Sequence, residues 1–270
     1  MRRYFSLLYY LLVGVACLGA CDGGSGENLE LVGSDNGVTV EHSTPSLMQG
    51  HVVIEERSER FHLDAWFTRG TPTEGVEVEL LYELAGDACY RVDDASSWVM
   101  SDLEIVSAGE AVSLTSRSGT WAELPRQTGL GAPVYMSELR SIRDPWPDDV
   151  LLEIPGDEFP EIFTTALDSL SALKLLAPVD DRNVPSDRRL AWQASTDDRD
   201  QIDLVMRAES AGGNTGVRFS VECQLVDDGD FVVPEFIAEQ VDWISRVARS
   251  RKTVNSAENA SLTVVQVSER

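Results

Sequence analysis

Three histidines, four cysteines and 46 carboxylates are the residues through which this 270-residue chain could do chemistry. His51 and His62 fall in "HVVIEER" and "FHLDAWF", two runs flanking a charged "SE", where they could face each other across a hairpin. With Glu55 or Asp64 as a third ligand they would offer zinc the nitrogen and oxygen donors it accepts. The ordinary reading is a pair of surface or half-buried strand histidines. Asp227, Asp228 and Asp230 could supply oxygens to calcium. Their stretch lacks the regular spacing and terminal Glu of an EF-hand loop, and a turn whose Asp side chains cap their own backbone accounts for it more simply. No metal and no other cofactor is therefore expected. Cys89 and Cys223 could pair in an oxidising compartment or stay free, and neither has a His close in sequence to activate a thiol. GxSxG, HExxH, SxxK and phosphate-cradling glycine motifs are all missing from the sequence, so no catalytic residue is assigned. A glycosidase needs two carboxylates across a cleft, but with so many Asp and Glu such a pair has no discriminating power. Trp66, Trp98, Trp121, Trp146, Trp192 and Trp243 could line a sugar-binding face; core packing is their default role.

The first twenty residues carry the parts of a secretion signal: Arg2 and Arg3, an apolar stretch from Leu7 to Leu18, then Gly19 and Ala20. The stretch is shorter than the ~20 residues a spanning helix needs. Leu18-Gly19-Ala20-Cys21 resembles the lipobox of bacterial lipoproteins. That resemblance implies cleavage before Cys21, a diacylglycerol on its sulfur and acylation of its new amino group. Cys17 would leave with the signal. Residues 21–36, rich in Gly, Ser, Asp and Asn, read as a flexible tether spanning roughly 20 Å. The resemblance places the folded body outside the cytoplasm, held to the inner or outer membrane of the cell envelope by lipid.

The charge balance narrows the partners. Loss of the signal takes the formal net charge from −24 to −26. Such a surface repels nucleic acid and anionic head groups alike, which leaves anchoring to the lipid and solubility to the acids.

Positioning falls to β-structure. In "VEVELLY" Val76, Val78, Leu80 and Tyr82 alternate with Glu77, Glu79 and Leu81, and the runs "LEIV", "AVSL", "APVYM" and "VLLEI" follow between turn signals. Short strands at such spacing predict an all-β chain of two β-sandwich domains. The Pro- and Gly-rich stretch 155–160 sets the boundary, giving an N-terminal sandwich over 37–158 and a second over 159–270. In the second, "RRLAWQA", "QIDLVMRA", "GVRFSVECQLV" and "SLTVVQV" read as strands. Leu190-Ala191-Trp192 resembles the tryptophan strand of fibronectin type III and related immunoglobulin-like sandwiches, which implies that fold for this half. Pro234 at a first helical position, with Phe236, Ile237, Val241, Ile244 and Val247 at helical spacing, predicts one helix over 234–249 near the C-terminus. "CQLVDDGDFVVPEFI" and "DLEIVSAGEAVSL" resemble blocks of uncharacterised multi-strand lipoproteins of large-genome proteobacteria, a likeness that bears on architecture.

The expectation is thus a membrane-anchored envelope lipoprotein, a non-enzymatic module that binds an envelope protein or polymer or serves a structural role. A glycan-directed hydrolase with a site assembled from distant residues is the first alternative, and a calcium-dependent adhesion module the second.

Overall fold

Period-two patterning is taken up by strands almost throughout. A computed structural model describes residues 48–269 except 58–59, 71–77, 94–102, 130–131, 138–139, 142–145, 148, 165, 177–182, 210–216 and 258. The signal, Cys21, the tether and His42 lie outside the described residues, as do Val76, Trp98 and the glycine loop at 212–216. The first hairpin is β1 (Met48–Arg57) and β2 (Arg60–Arg69), followed by β3 (Val78–Leu84) and β4 (Asp87–Asp93). Next come β5 (Glu104–Ile105), β6 (Ala111–Ser116), β7 (Gly119–Gly129), β8 (Ala132–Met136), β9 (Arg140–Ser141), β10 (Leu151–Ile154) and β11 (Ile162–Phe163). The remainder is β12 (Arg189–Ala191), β13 (Asp200–Glu209), β14 (Val217–Val226), β15 (Asp230–Val232), α1 (Glu235–Ala238), β16 (Trp243–Ala257) and β17 (Ala260–Glu269).

The chain is all-β, built on one large mixed sheet in the order β11-β10-β6-β7-β8-β2-β1-β17-β16-β13-β14-β4-β3. Strands β5 and β9 branch from β2, and β12 pairs with β15 apart from the sheet. Among the described residues one pairing in the sheet is parallel: β1 runs beside β17 from Met48 opposite Ala260 to Glu56 opposite Ser268. The first and last strands of the described chain therefore meet at the centre of the sheet. Gly50 is tight there, because a Cβ on it would lie 2.8 Å from the Phe67 ring and 2.9 Å from Leu262.

Two apolar cores form, and neither respects the boundary expected at 158/159. The first gathers Val52, Phe67, Leu114, Tyr135 and Ile154 but also Leu262 and Val264 from β17. The second gathers Trp192, Ile202, Met206, Val221 and Phe231 but also Cys89 from β4. The Pro-rich stretch 155–160 is part of the first core, not a linker. Phe159 is fully buried against Phe67, and its N–H donates to the Ser107 carbonyl at 2.8 Å. Gly156, at φ +85°, makes the turn that lets Ile154 pair with Ile162.

The helix expected over 234–249 shrinks to the four residues of α1, and its second half is β16. A bulge explains the misreading. Arg246 pairs with Val205 but Ile244 with Met206, so Ser245 is an extra residue, and its hydroxyl donates to the Val205 carbonyl at 3.1 Å. The bulge puts Ile244 and Val247 on one face at a spacing of three, which imitates a helix.

Strand β3 departs from its expected alternation in the same way. A register shift between Leu80 and Tyr82 turns Leu81 and Tyr82 towards the second core, where Tyr82 meets Phe231 edge-on at 6.0 Å. Val78, Leu80 and Leu84 are left exposed. The β3–β4 turn is two residues, Ala85 and Gly86, at φ 54° and 99°, as a right-handed strand twist favours.

Cys89 lies directly opposite Cys223 in the β4–β14 ladder, and the structure joins them in a disulfide across 134 residues of sequence. The pairing places in one core two residues that the sequence reading assigned to separate domains. In the chain-entropy account a loop of that length contributes about 5 kcal/mol. The Cys89→Ala/Cys223→Ala double variant should lose about 2–5 kcal/mol in chemical denaturation. A denaturation midpoint unmoved by reductant would show that the two thiols do not pair.

Candidate functional site

Side chains alternate across a strand, so residues between the core-facing positions of β2, β1, β17, β16, β13 and β14 share the opposite face. On that face β2 carries His62, Asp64 and Trp66, and β1 carries His51, Val53, Glu55 and Arg57. Strand β17 adds Val267 and Glu269, β16 adds Arg246 and Ala248, β13 adds Asp203 and Arg207, and β14 adds Glu222. Val53, Trp66, Ala248 and Val267 form a small apolar cluster among these charges.

The chemistry concentrates around Glu55, whose surface is fully buried. Arg57 lies 2.6 Å from its Oε2, and Arg246 donates to its Oε1 at 3.2 Å. Arg57 also reaches Glu269 at 3.1 Å, and Arg246 approaches the same carboxylate at 3.7 Å. Burial raises the Glu269 pKa, against the pull of Arg246. Directly opposite Glu55 in the β1–β2 register sits His62, whose Nε2 lies 2.6 Å from Asp64 Oδ2. That hydrogen bond raises the imidazole's pKa, with burial opposing and the charges of Asp64 and Glu55 assisting. Towards β14 a second group continues the face. Burial raises the pKa of Asp203, against Arg246 and a hydrogen bond from Ser250. Burial also pushes Glu222 up to about 7, against a hydrogen bond from Ser220 and the charge of Arg207. Arg246 is thus shared between two carboxylate groups, Glu55 with Glu269 and Asp203 with Glu222.

His51 and His62 do not face each other. His51 pairs in register with Trp66 and stacks on its ring at 5.3 Å. Burial, then the charge of Lys252, lowers its pKa to about 4, so it is neutral at physiological pH. His62 does gather both carboxylates considered for it, Glu55 and Asp64. Among the described residues no three His, Cys, Asp or Glu side chains converge as a metal site requires.

The three aspartates considered for calcium point at three different partners. Asp230 pairs with Arg189 at 3.2 Å, while Asp228 accepts the Asp230 N–H at 3.4 Å as a turn-capping side chain does. Asp227 is buried and belongs to Arg249 and Trp192. The Trp192 indole N–H donates to it at 2.7 Å, and the Arg249 guanidinium grips both of its oxygens. The remaining Arg249 donors go to the carbonyls of Ser171, Ala172 and Gln193, so this fully buried cation is satisfied at every N–H. Arg246 and Arg249 fall within the stretch whose spacing imitates a helix, which hides their role as hubs. The signal available was the recurrence of arginine in "SRVARSRK".

Two measurements test these placements. Asp227→Ala strands a buried guanidinium and should cost about 3–5 kcal/mol; a thermal melt matching wild type would contradict the burial. The folded pKa of Glu222 lies above its ordinary 4.5, so its contribution is fully present at low pH and is lost as pH rises from 4.5 through 7. Glu222→Gln imitates the protonated form. It should match wild type near pH 4 and exceed it at pH 8 by something of order 3 kcal/mol, and equal stabilities at both pH values would refute the shift.

No protein-family model matches the chain, and no curated protein or solved structure matches it either.

Proposed function

We propose that this chain is a lipid-anchored protein of the bacterial cell envelope whose β-body is a non-enzymatic binding or structural module. The observation that carries the reading is Leu18-Gly19-Ala20-Cys21, set behind a basic start and an apolar stretch and ahead of a Gly-, Ser- and Asp-rich tether. Cys21 takes the lipid, the membrane is the partner reached through it, and the body meets an envelope protein or polymer. A net charge of −24 argues against nucleic acid as a partner.

One observation favours the hydrolase as a second reading: His62 is hydrogen-bonded to Asp64 with Glu55 opposite, and Glu222 titrates near neutrality. Against it, Glu55 is fully buried and ion-paired with Arg57 and Arg246, so that carboxylate is committed to the sheet. The calcium-dependent reading loses its support with Asp227, which is engaged by Arg249 and Trp192.

Metabolic labelling with a clickable fatty acid tests the anchor. Wild type should take up label and sediment with membranes, whereas Cys21→Ala should be unlabelled and released. A wild-type chain without label ends the lipoprotein reading. Release of reducing ends from envelope glycans by wild type, lost in His62→Ala, would move the hydrolase ahead of the module.

A further inference from the structure

The large sheet has two unequal edges. One ends in β11, only two residues long; the other ends in β3, seven residues long and exposed at both ends. An edge strand presents every second N–H and C=O outward, and natural edges are kept short, charged or covered to avoid pairing. Strand β3 is seven residues long and pairs on one side only among the described residues. Its register shift leaves Leu80 half-exposed at 50% and Leu84 at 62%, and Val226, at the end of β14 beside the β3–β4 turn, adds 42%. Glu79 and Glu83 are exposed and form no ion pair among the described residues. Arg91, opposite Glu79, is turned instead to Asp93 at 3.0 Å and lies over the Phe219 ring. Among the described residues the edge thus combines unpaired backbone, apolar side chains and uncompensated negative charge. The strand is anchored from behind by Tyr82 on Phe231 and by the disulfide of β4 to β14.

We propose that β3 is a docking edge at which an extended segment of a partner protein, carrying both basic and apolar side chains, adds as a further strand of the sheet. Main-chain hydrogen bonds supply the pairing, and the side chains opposite β3 supply selectivity. A second copy of the chain fits poorly, since edge-to-edge pairing would bring Glu79 and Glu83 against their own counterparts on a body of net charge −24. The inference rests on the binding role proposed above and not on the lipid anchor, so it can fail while fatty-acid labelling succeeds, and the reverse.

The test uses the full-length chain in neutral detergent and a synthetic peptide in which pairs of Arg alternate with pairs of Val, so that each face of the strand carries both, as the register shift in β3 requires. Its controls are an isomer with the arginines and valines in blocks and two versions N-methylated on alternate residues, one for each edge of the peptide. The alternating peptide should bind and slow amide exchange across Val78–Leu84. One N-methylated frame should retain binding and the other lose it, because only one edge of an added strand faces β3. Glu79→Lys/Glu83→Lys should weaken binding by about tenfold or more. Equal binding of the block isomer, equal binding of both N-methylated frames, or protection away from β3 would overturn the proposal. So would a peptide-free dimer protected at β3, which would make a second copy the occupant.

Discussion

The parallel ladder between β1 and β17 is the contact on which the rest of the sheet depends. It joins the two ends of the described chain, and with them the strands lining the first core to the strands lining the second. Parallel strands are ordinarily covered on both faces. Strand β1 fits that rule: it is buried from Gln49 through Glu55, whichever face each residue takes. One face is apolar, and the other carries the Glu55, Arg57, Arg246 and Glu269 network that ties β1 to both β17 and β16. Closing a ladder between such distant segments costs loop entropy before any contact offsets it, so this fold belongs to the slow, non-local class.

Arginines on β16 divide their labour by side of the sheet. Arg246 faces the carboxylates of the charged face, whereas Arg249 and Arg251 turn to the other. Arg251 holds Asp200 at 2.7 Å and Asp197 at 2.8 Å, and Asp200 in turn accepts from Ser195 at 2.6 Å. The Arg199 side chain, followed by its backbone and the charge of Arg251, holds the Asp197 carboxyl well below the usual range. Buried pairs of this kind add little net stability over apolar packing, yet each is costly to break. What they add here is register. A slip of β16 by one residue would send Arg249 to the charged face and leave Asp227 buried and unpaired, so the ion pairs specify the alignment that the bulge at Ser245 makes irregular.

Much of the strand content was legible because half-buried antiparallel strands write their burial as alternation; "HVVIEER", "FHLDAWF" and "SLTVVQV" became β1, β2 and β17 within a few residues. Two of the departures, at β16 and β3, share one cause. Wherever a bulge inserts a residue, alternation breaks, and a period of two is read as something else: β16 as a helix, and β3 as having one buried apolar face. The domain boundary failed for another reason. Prolines and glycines report local turns, and nothing local in residues 155–160 says that β17 returns to line the first core. Of the candidate site, His62 with Glu55 and Asp64 was readable from hairpin register. Arg246, Asp203 and Glu222 were not, since their convergence depends on pairings between segments far apart in sequence.

Under the anchored reading, the order of strands bears on how the body carries load. Strand β1, the first of the described strands, lies at the centre of the sheet, with β2 on one side and β17 on the other. A pull along that strand loads both ladders in shear, so the hydrogen bonds on either side resist together rather than opening one by one. The charged network over β1 and β17 acts in the same direction, because sliding β1 would draw Glu55 away from Arg246. Partner contact is then left to the periphery. Strand β3 lies at the far end of the ladder, six pairings from β1, and the disulfide stiffens the step just before it. The central strands are committed to holding two cores together, and the outermost one keeps the backbone donors and acceptors that a partner can use.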